Sequence, residues 1–147
     1  MERIAAGQGI RVQTSPLPDQ LSGLLYREKG AQHAIIGVNS LHATVRQRFT
    51  IAHELGHFLL HKDEVHVDRG YSMRFRSIRS ATAEDRAEIE ANQFAAELLM
   101  PEAFIRKAWK THAFALDDEY SLSEMARRFQ VSPQALTYRL TNLGLIG

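Results

Sequence analysis

The sequence predicts an α+β fold: a small antiparallel sheet packed on a helix that carries a His-Glu-x-x-His pattern, then a helical tail resembling a helix-turn-helix. Three observations predict it. Residues 9–39 hold short β-type runs separated by turns, residues 45–61 and 84–100 repeat apolar residues at spacings of three and four, and the chain after Pro101 is helical in pattern. A length of 147 residues suits one compact domain. Within it the expected division is a core of residues 1–112 and a tail of 113–147 packed on that core.

The strands come first. Gly9-Ile-Arg-Val-Gln-Thr14 alternates apolar and polar residues, Leu21-Ser-Gly-Leu-Leu-Tyr26 is short and apolar, and Ala34-Ile-Ile-Gly-Val-Asn39 reads as a buried strand. Ser15-Pro-Leu-Pro-Asp19 and Arg27-Glu-Lys-Gly30 are turns. These give about three strands, mostly antiparallel.

Val45–His61 contains no Pro, and Ile51, Ala52, Leu55, Phe58, Leu59 and Leu60 recur as a buried helix requires. It contains His53-Glu54-Leu55-Gly56-His57. In a helix, positions four apart lie nearly above one another, roughly 6 Å along the axis. The two imidazoles then grip one ion from the same side while Glu54 faces the same cleft, which is the arrangement of a zincin site. Shuffling this composition yields roughly 0.02 chance matches, so the helical context adds weight to the pentapeptide. Gly56 costs about 1 kcal/mol against Ala inside a helix and marks close approach of another backbone or of substrate.

A tetrahedral catalytic zinc takes three protein ligands and keeps one position for water. His61 continues the four-residue step, but His53 to His61 spans about 12 Å of helix while ligands sit roughly 2 Å from the metal. His61 is therefore read as an end-of-helix residue facing the negative dipole end. Position 63, where a longer metzincin pattern places a third His, is Asp63.

Residues 62–80 are polar and broken, a connector or a lid. The second strong helix, Glu84–Met100, stops at Pro101, and its apolar stripe runs through Ala91, Phe94, Ala95, Leu98 and Leu99. Extended backwards, the stripe places Glu88 on the buried face and Asn92 one turn later, with Glu90 on the polar side. A carboxylate in an apolar interface needs a partner, and a cation held by two His is one. Asn92 is placed to accept a ring N–H from a ligand His. Glu84 is the fallback ligand, and an ordinary salt bridge is the plain alternative for Glu88.

Beyond Pro101, Glu102–His112 reads as a helix and Leu116–Tyr120 as a connector. Ser121-Leu-Ser-Glu124 reads as a capping box opening a helix over Leu122–Phe129, and Ser132-Pro133 opens a last helix ended by Gly144. Two short helices so joined look like a helix-turn-helix. With Arg127, Arg128 and Arg139 as the sole positive charges there, packing on the core is preferred over contact with DNA.

Arg48-Phe-Thr-Ile-Ala-His-Glu-Leu-Gly-His57, followed by Glu88-Ile-Glu-Ala-Asn92-Gln-Phe94-Ala95-Ala-Glu-Leu98-Leu99-Met100-Pro101, resembles the ImmA/IrrE family of metallopeptidases, from about Gly9 to the end. The resemblance implies a small zinc endopeptidase, with His53, His57 and Glu88 as zinc ligands and Glu54 as the catalytic acid. It also implies a protein substrate, a helix-turn-helix repressor of phage, mobile-element or stress-response type. Some relatives carry a repressor-like module before the peptidase or a sensor-like domain after it; this chain is expected to carry neither. Glu54 would take the proton of the attacking water and pass it to the leaving amine, and Tyr71, His66 and Arg74 are candidate donors to the oxyanion.

Composition bounds the rest. No run of eighteen apolar residues predicts a membrane span, the start lacks an apolar signal core, and the absence of Cys fits a reducing compartment; together these favour the cytoplasm. A net charge of +1 argues neither for nor against nucleic acid. The competing reading is a DNA-binding regulator, or a binder of a repressor or toxin, whose metal site is structural or vestigial.

Overall fold

A computed structural model of the chain describes residues 1–28, 33–69, 83–112 and 119–147, without the side chains of Ala83, Glu84, His112 and Glu119. The chain forms two compact units, Met1–Ala95 and Ala96–Gly147. The boundary expected after residue 112 adjoins residues 113–118, which lie outside the described residues.

In the first unit a short helix α1 (Glu2–Gly7) precedes β1 (Ile10–Ser15), β2 (Gly23–Arg27) and β3 (Ala34–Asn39), close to the expected strands. After helix α2 (Thr44–Leu60) comes a fourth strand, β4 (Val65–Asp68). The sheet order is β1-β3-β2-β4; β2 pairs antiparallel with both neighbours, whereas β1 and β3 run parallel. Among the described residues the sheet is thus mixed and has four strands, where the sequence predicts about three, mostly antiparallel. The parallel pair arises because the link from β1 passes the end of β3 before β2 begins. Fully buried Asn39 at that end holds the link: its Nδ2 donates to the carbonyls of Leu17 (3.1 Å) and Leu21 (2.8 Å), and its Oδ1 accepts from Leu17 N–H (3.2 Å). The strand β4 has four residues between polar neighbours, too short for alternation to stand out.

Helix α2 packs on β2, β3 and β4, and eight consecutive residues, Thr50–His57, are buried on all faces. Its C-terminal carbonyls are capped from the sheet. Arg27 Nη2 donates to the carbonyls of Phe58 (2.6 Å) and His61 (2.5 Å), and Nε donates to Asp63 (3.0 Å). A cation there satisfies groups that lack helical partners and matches the negative end of the helix.

Helix α3 (Ala83–Leu99) buries Glu88, Ala91, Ala95 and Leu99, at helical spacing. Gly56 of α2 meets it: an added Cβ would lie 3.2 Å from Ala91 Cα and 3.0 Å from Phe94 Cδ1. The close approach expected at Gly56 is therefore to a helix.

The second unit contains α4 (Glu102–His112), α5 (Glu119–Phe129) and α6 (Pro133–Asn142) around Ile105, Met125, Leu136 and Leu140. Ser132 Oγ accepts from Ala135 N–H (3.1 Å) ahead of Pro133, as expected, and Gly144 follows the helix end with φ of 67°. The other cap differs. Helix α5 already includes Glu119, so Ser121 lies inside it and cannot act as the N-cap, which needs non-helical backbone. Gln130, at φ of 54°, makes the left-handed turn between α5 and α6. Arg139 is buried, paired with Glu97 and donating to Met100 O (3.0 Å), and Arg127 is bridged to Glu124 (2.9 Å).

Candidate metal centre

The helical step of four residues brings His53 and His57 to the same point, with their Nε2 atoms 3.2 Å apart. From α3, Glu88 reaches between them: Oε2 lies 3.1 Å from His53 Nε2 and Oε1 lies 3.0 Å from His57 Nε2. Donors about 2.0–2.1 Å from a tetrahedral ion lie about 3.3 Å from one another. The three groups therefore match in type and spacing what one divalent cation requires.

All three are buried, at 2%, 3% and 6% exposure, and an unshared charge at that depth would be costly. The electrostatics follow from this crowding. Burial pushes the Glu88 carboxyl up, but its contacts with His53, His57 and His66 outweigh burial and hold it well below the usual range. Burial disfavours a charged His53 ring, yet Glu88 and the charges of Asp68 and Glu54 raise its pKa overall. A metal competes with protons for these same nitrogens.

Asn92, one turn beyond Glu88, has its Oδ1 2.8 Å from His53 Nδ1, so the ring N–H donates to the amide oxygen and leaves Nε2 with its lone pair. Glu54 is fully buried and contacts His66 Nδ1 at 3.0 and 2.9 Å from its two oxygens. The sequence offered His66 only as a donor beside Tyr71 and Arg74, which lie outside the described residues, as does the side chain of Glu84. In the structure His66 stands on β4, stacks on His57 (3.7 Å between ring centres) and brings its Nε2 to Glu88. Burial lowers its pKa, but Glu54 and Glu88 raise it further, to about 10.

Two potential cation-binding groups result among the described residues: His53, His57, His66 and Glu88, and the overlapping set His53, Glu54 and Asp68. Asp68, buried at the end of β4, escaped the sequence reading along with the strand that carries it. His61 does end α2, its N–H on the His57 carbonyl (2.9 Å), but its ring has partners of its own: His57 Nδ1 and Glu90 Oε2, each 3.0 Å away.

Residues 5–141 match the family model of the IrrE N-terminal-like domain. The chain is 29% identical over 126 residues to metallopeptidase ImmA of Bacillus subtilis, covering 85% of this chain and 66% of that protein. It is 34% identical over 110 residues to the radiation response metalloprotease IrrE of Deinococcus radiodurans, covering 75% of this chain and 31% of the other. Immunity region protein 2 of Bacillus phage phi105 is 31% identical over 115 residues, 78% of this chain and 66% of its own length. The chain thus spans at most about two thirds of these relatives. No helix among the described residues is long and apolar enough to cross a membrane.

Proposed function

The chain belongs to the metallopeptidase family of the IrrE N-terminal-like domain, and from that premise we propose that it is a zinc-dependent endopeptidase acting in the cytoplasm. Its substrate on this reading is a helix-turn-helix repressor of phage, mobile-element or stress-response type. The observation that carries the proposal is the convergence of His53, His57 and Glu88 at 3.0–3.2 Å beside a fully buried Glu54. The names of the relatives, a metallopeptidase, a radiation-response protease and a phage immunity-region protein, support regulatory proteolysis.

His53 and His57 through Nε2 and Glu88 through its carboxylate are the proposed ligands, with Asn92 orienting His53. When bound there, zinc lowers the pKa of its water towards about 7 and polarises a peptide carbonyl. Glu54 accepts the proton of the attacking water and delivers it to the leaving amine. His66, on Glu54 through Nδ1, is the described candidate for the donor that steadies the oxyanion. The strand β4, at the edge of the described sheet, carries it and is the proposed rail for an extended substrate.

One observation favours a second reading. His66 Nε2 lies within the same cluster, and a fourth protein ligand would close a tetrahedral site and make the metal structural. Direct DNA contact gains little support from the tail, since Arg139 is paired with Glu97 of α3 and Arg127 with Glu124. The test incubates the purified chain with the repressor encoded beside it. Chelator-sensitive cleavage is expected, lost by about a hundredfold or more in Glu54→Gln with zinc retained, and lost together with zinc in His57→Ala. Full cleavage by metal-replete Glu54→Gln would refute the role of Glu54.

A further inference from the structure

An imidazole that offers Nε2 to a metal carries its proton on Nδ1, and that proton needs an acceptor. For His53 the acceptor is the amide oxygen of Asn92, an unambiguous partner. For His57 it is another imidazole, His61, whose Nδ1 lies 3.0 Å from His57 Nδ1. A ring nitrogen either donates or accepts, so this contact has two states. If His61 carries its proton on Nδ1, it donates to His57 Nδ1, and a neutral His57 is left with its proton on Nε2, the atom facing His53 and Glu88. That state blocks a metal. If His61 carries its proton on Nε2, its Nδ1 accepts from His57 and the facing nitrogen is free.

Glu90 discriminates between the two. Its Oε2 lies 3.0 Å from His61 Nε2, and a carboxylate only accepts, which draws the His61 proton to Nε2. The ring of His57 is held on two sides, by His61 at one edge and by the stacked His66. The His61 backbone is tied to the His57 carbonyl and to Arg27. We propose that His61 and Glu90 form a positioning relay that selects the metal-binding tautomer of His57. The relay rests on the zinc reading above. It is graded, because His61 is 15% exposed and Glu90 is 55% exposed, where water also competes for the proton.

The test is zinc affinity of the full chain, read by competition with a chromophoric chelator, with metal-free melting as a control on folding. His61→Phe is expected to weaken binding about 10–100-fold, and Glu90→Leu by about threefold or more. His61→Gln and Glu90→Gln should each recover most of the loss, because the amide oxygen accepts in the same direction. Glu90→Leu should add nothing to His61→Phe. Affinities within about twofold of wild type in both apolar variants overturn the relay, as does His61→Gln binding no better than His61→Phe. Loss of zinc in His57→Ala alone sinks the relay and spares the zinc site, whereas an unaltered chain that takes up no zinc ends both. Should the variants not fold, the ring ¹⁵N shifts of the unaltered chain serve: His61 protonated on Nε2 supports the relay, and on Nδ1 overturns it.

Discussion

Helix pairs α2/α3 and α5/α6 are built from the same apolar spacing, yet they bury different things. Among the described residues, nine buried polar or charged groups fall in Met1–Ala95, five of them at the candidate metal centre or on the end of β4: His53, Glu54, His57, Asp68 and Glu88. In Ala96–Gly147 the buried charge is Arg139, matched by Glu97 and a carbonyl. The second pair is ordinary packing finished by a Ser-Pro cap. The first spends helix interior on groups that cost stability unless something binds them. That contrast is the physical signature of a site: polarity placed where the apolar stripe should continue, with His53, His57 and Glu88 converging on a common point.

Removing the metal should break the contrast most visibly. The sign for the metal-free chain follows from the two large shifts. The folded pKa of His66 is raised from 6.5 to about 10, so its stabilisation is complete below pH 6.5 and is lost as pH rises towards about 10. The folded pKa of Glu88 is depressed from 4.5, so its stabilisation is present above pH 4.5 and is lost in acid. Chelated protein should therefore melt lower as pH rises from about 6 to about 9, while zinc, no longer competing with protons, binds tighter. The gap between the zinc-loaded and chelated melting temperatures should widen across that range; a constant gap would mean that the buried groups are not proton-linked to the metal.

Gly56→Ala sharpens the comparison inside the first pair. The substitution gains about 1 kcal/mol of helix propensity, but the new methyl meets Ala91 and Phe94 at 3.0–3.2 Å, and overpacking costs about 1–3 kcal/mol. Because α3 carries Glu88, zinc affinity should fall by about tenfold while the melting temperature changes by only a few degrees. Equal zinc affinity would show that the spacing of α2 and α3 does not set the donor geometry. The smallest effect belongs to the second pair: Ser132→Ala should cost about 1 kcal/mol in denaturant unfolding and leave zinc affinity unaltered.

Much of this was legible in the sequence because it depends on one helix at a time. The four-residue step of His53 and His57, the inward face of Glu88 and Asn92, and the Ser132-Pro133 cap follow from a fixed period and local backbone chemistry. What was not legible depends on pairing across the chain. The strand β4 has four residues, and only its partner β2 makes it a strand, so His66 and Asp68 had no visible place beside Glu54. Likewise Glu90 falls on the polar side of α3, as its exposure bears out, and its link to His61 depends on how closely α2 and α3 approach at Gly56. The parallel pairing of β1 with β3 needed the long-range contacts of Asn39.

X-ray absorption at the zinc edge of the loaded protein tests the central claim most directly. The account predicts one zinc per chain with two imidazole nitrogens, a carboxylate oxygen and a solvent oxygen, all at about 2.0–2.2 Å. Three imidazoles and a carboxylate with no exchangeable oxygen would contradict it, since His66 would then close the site on a structural metal.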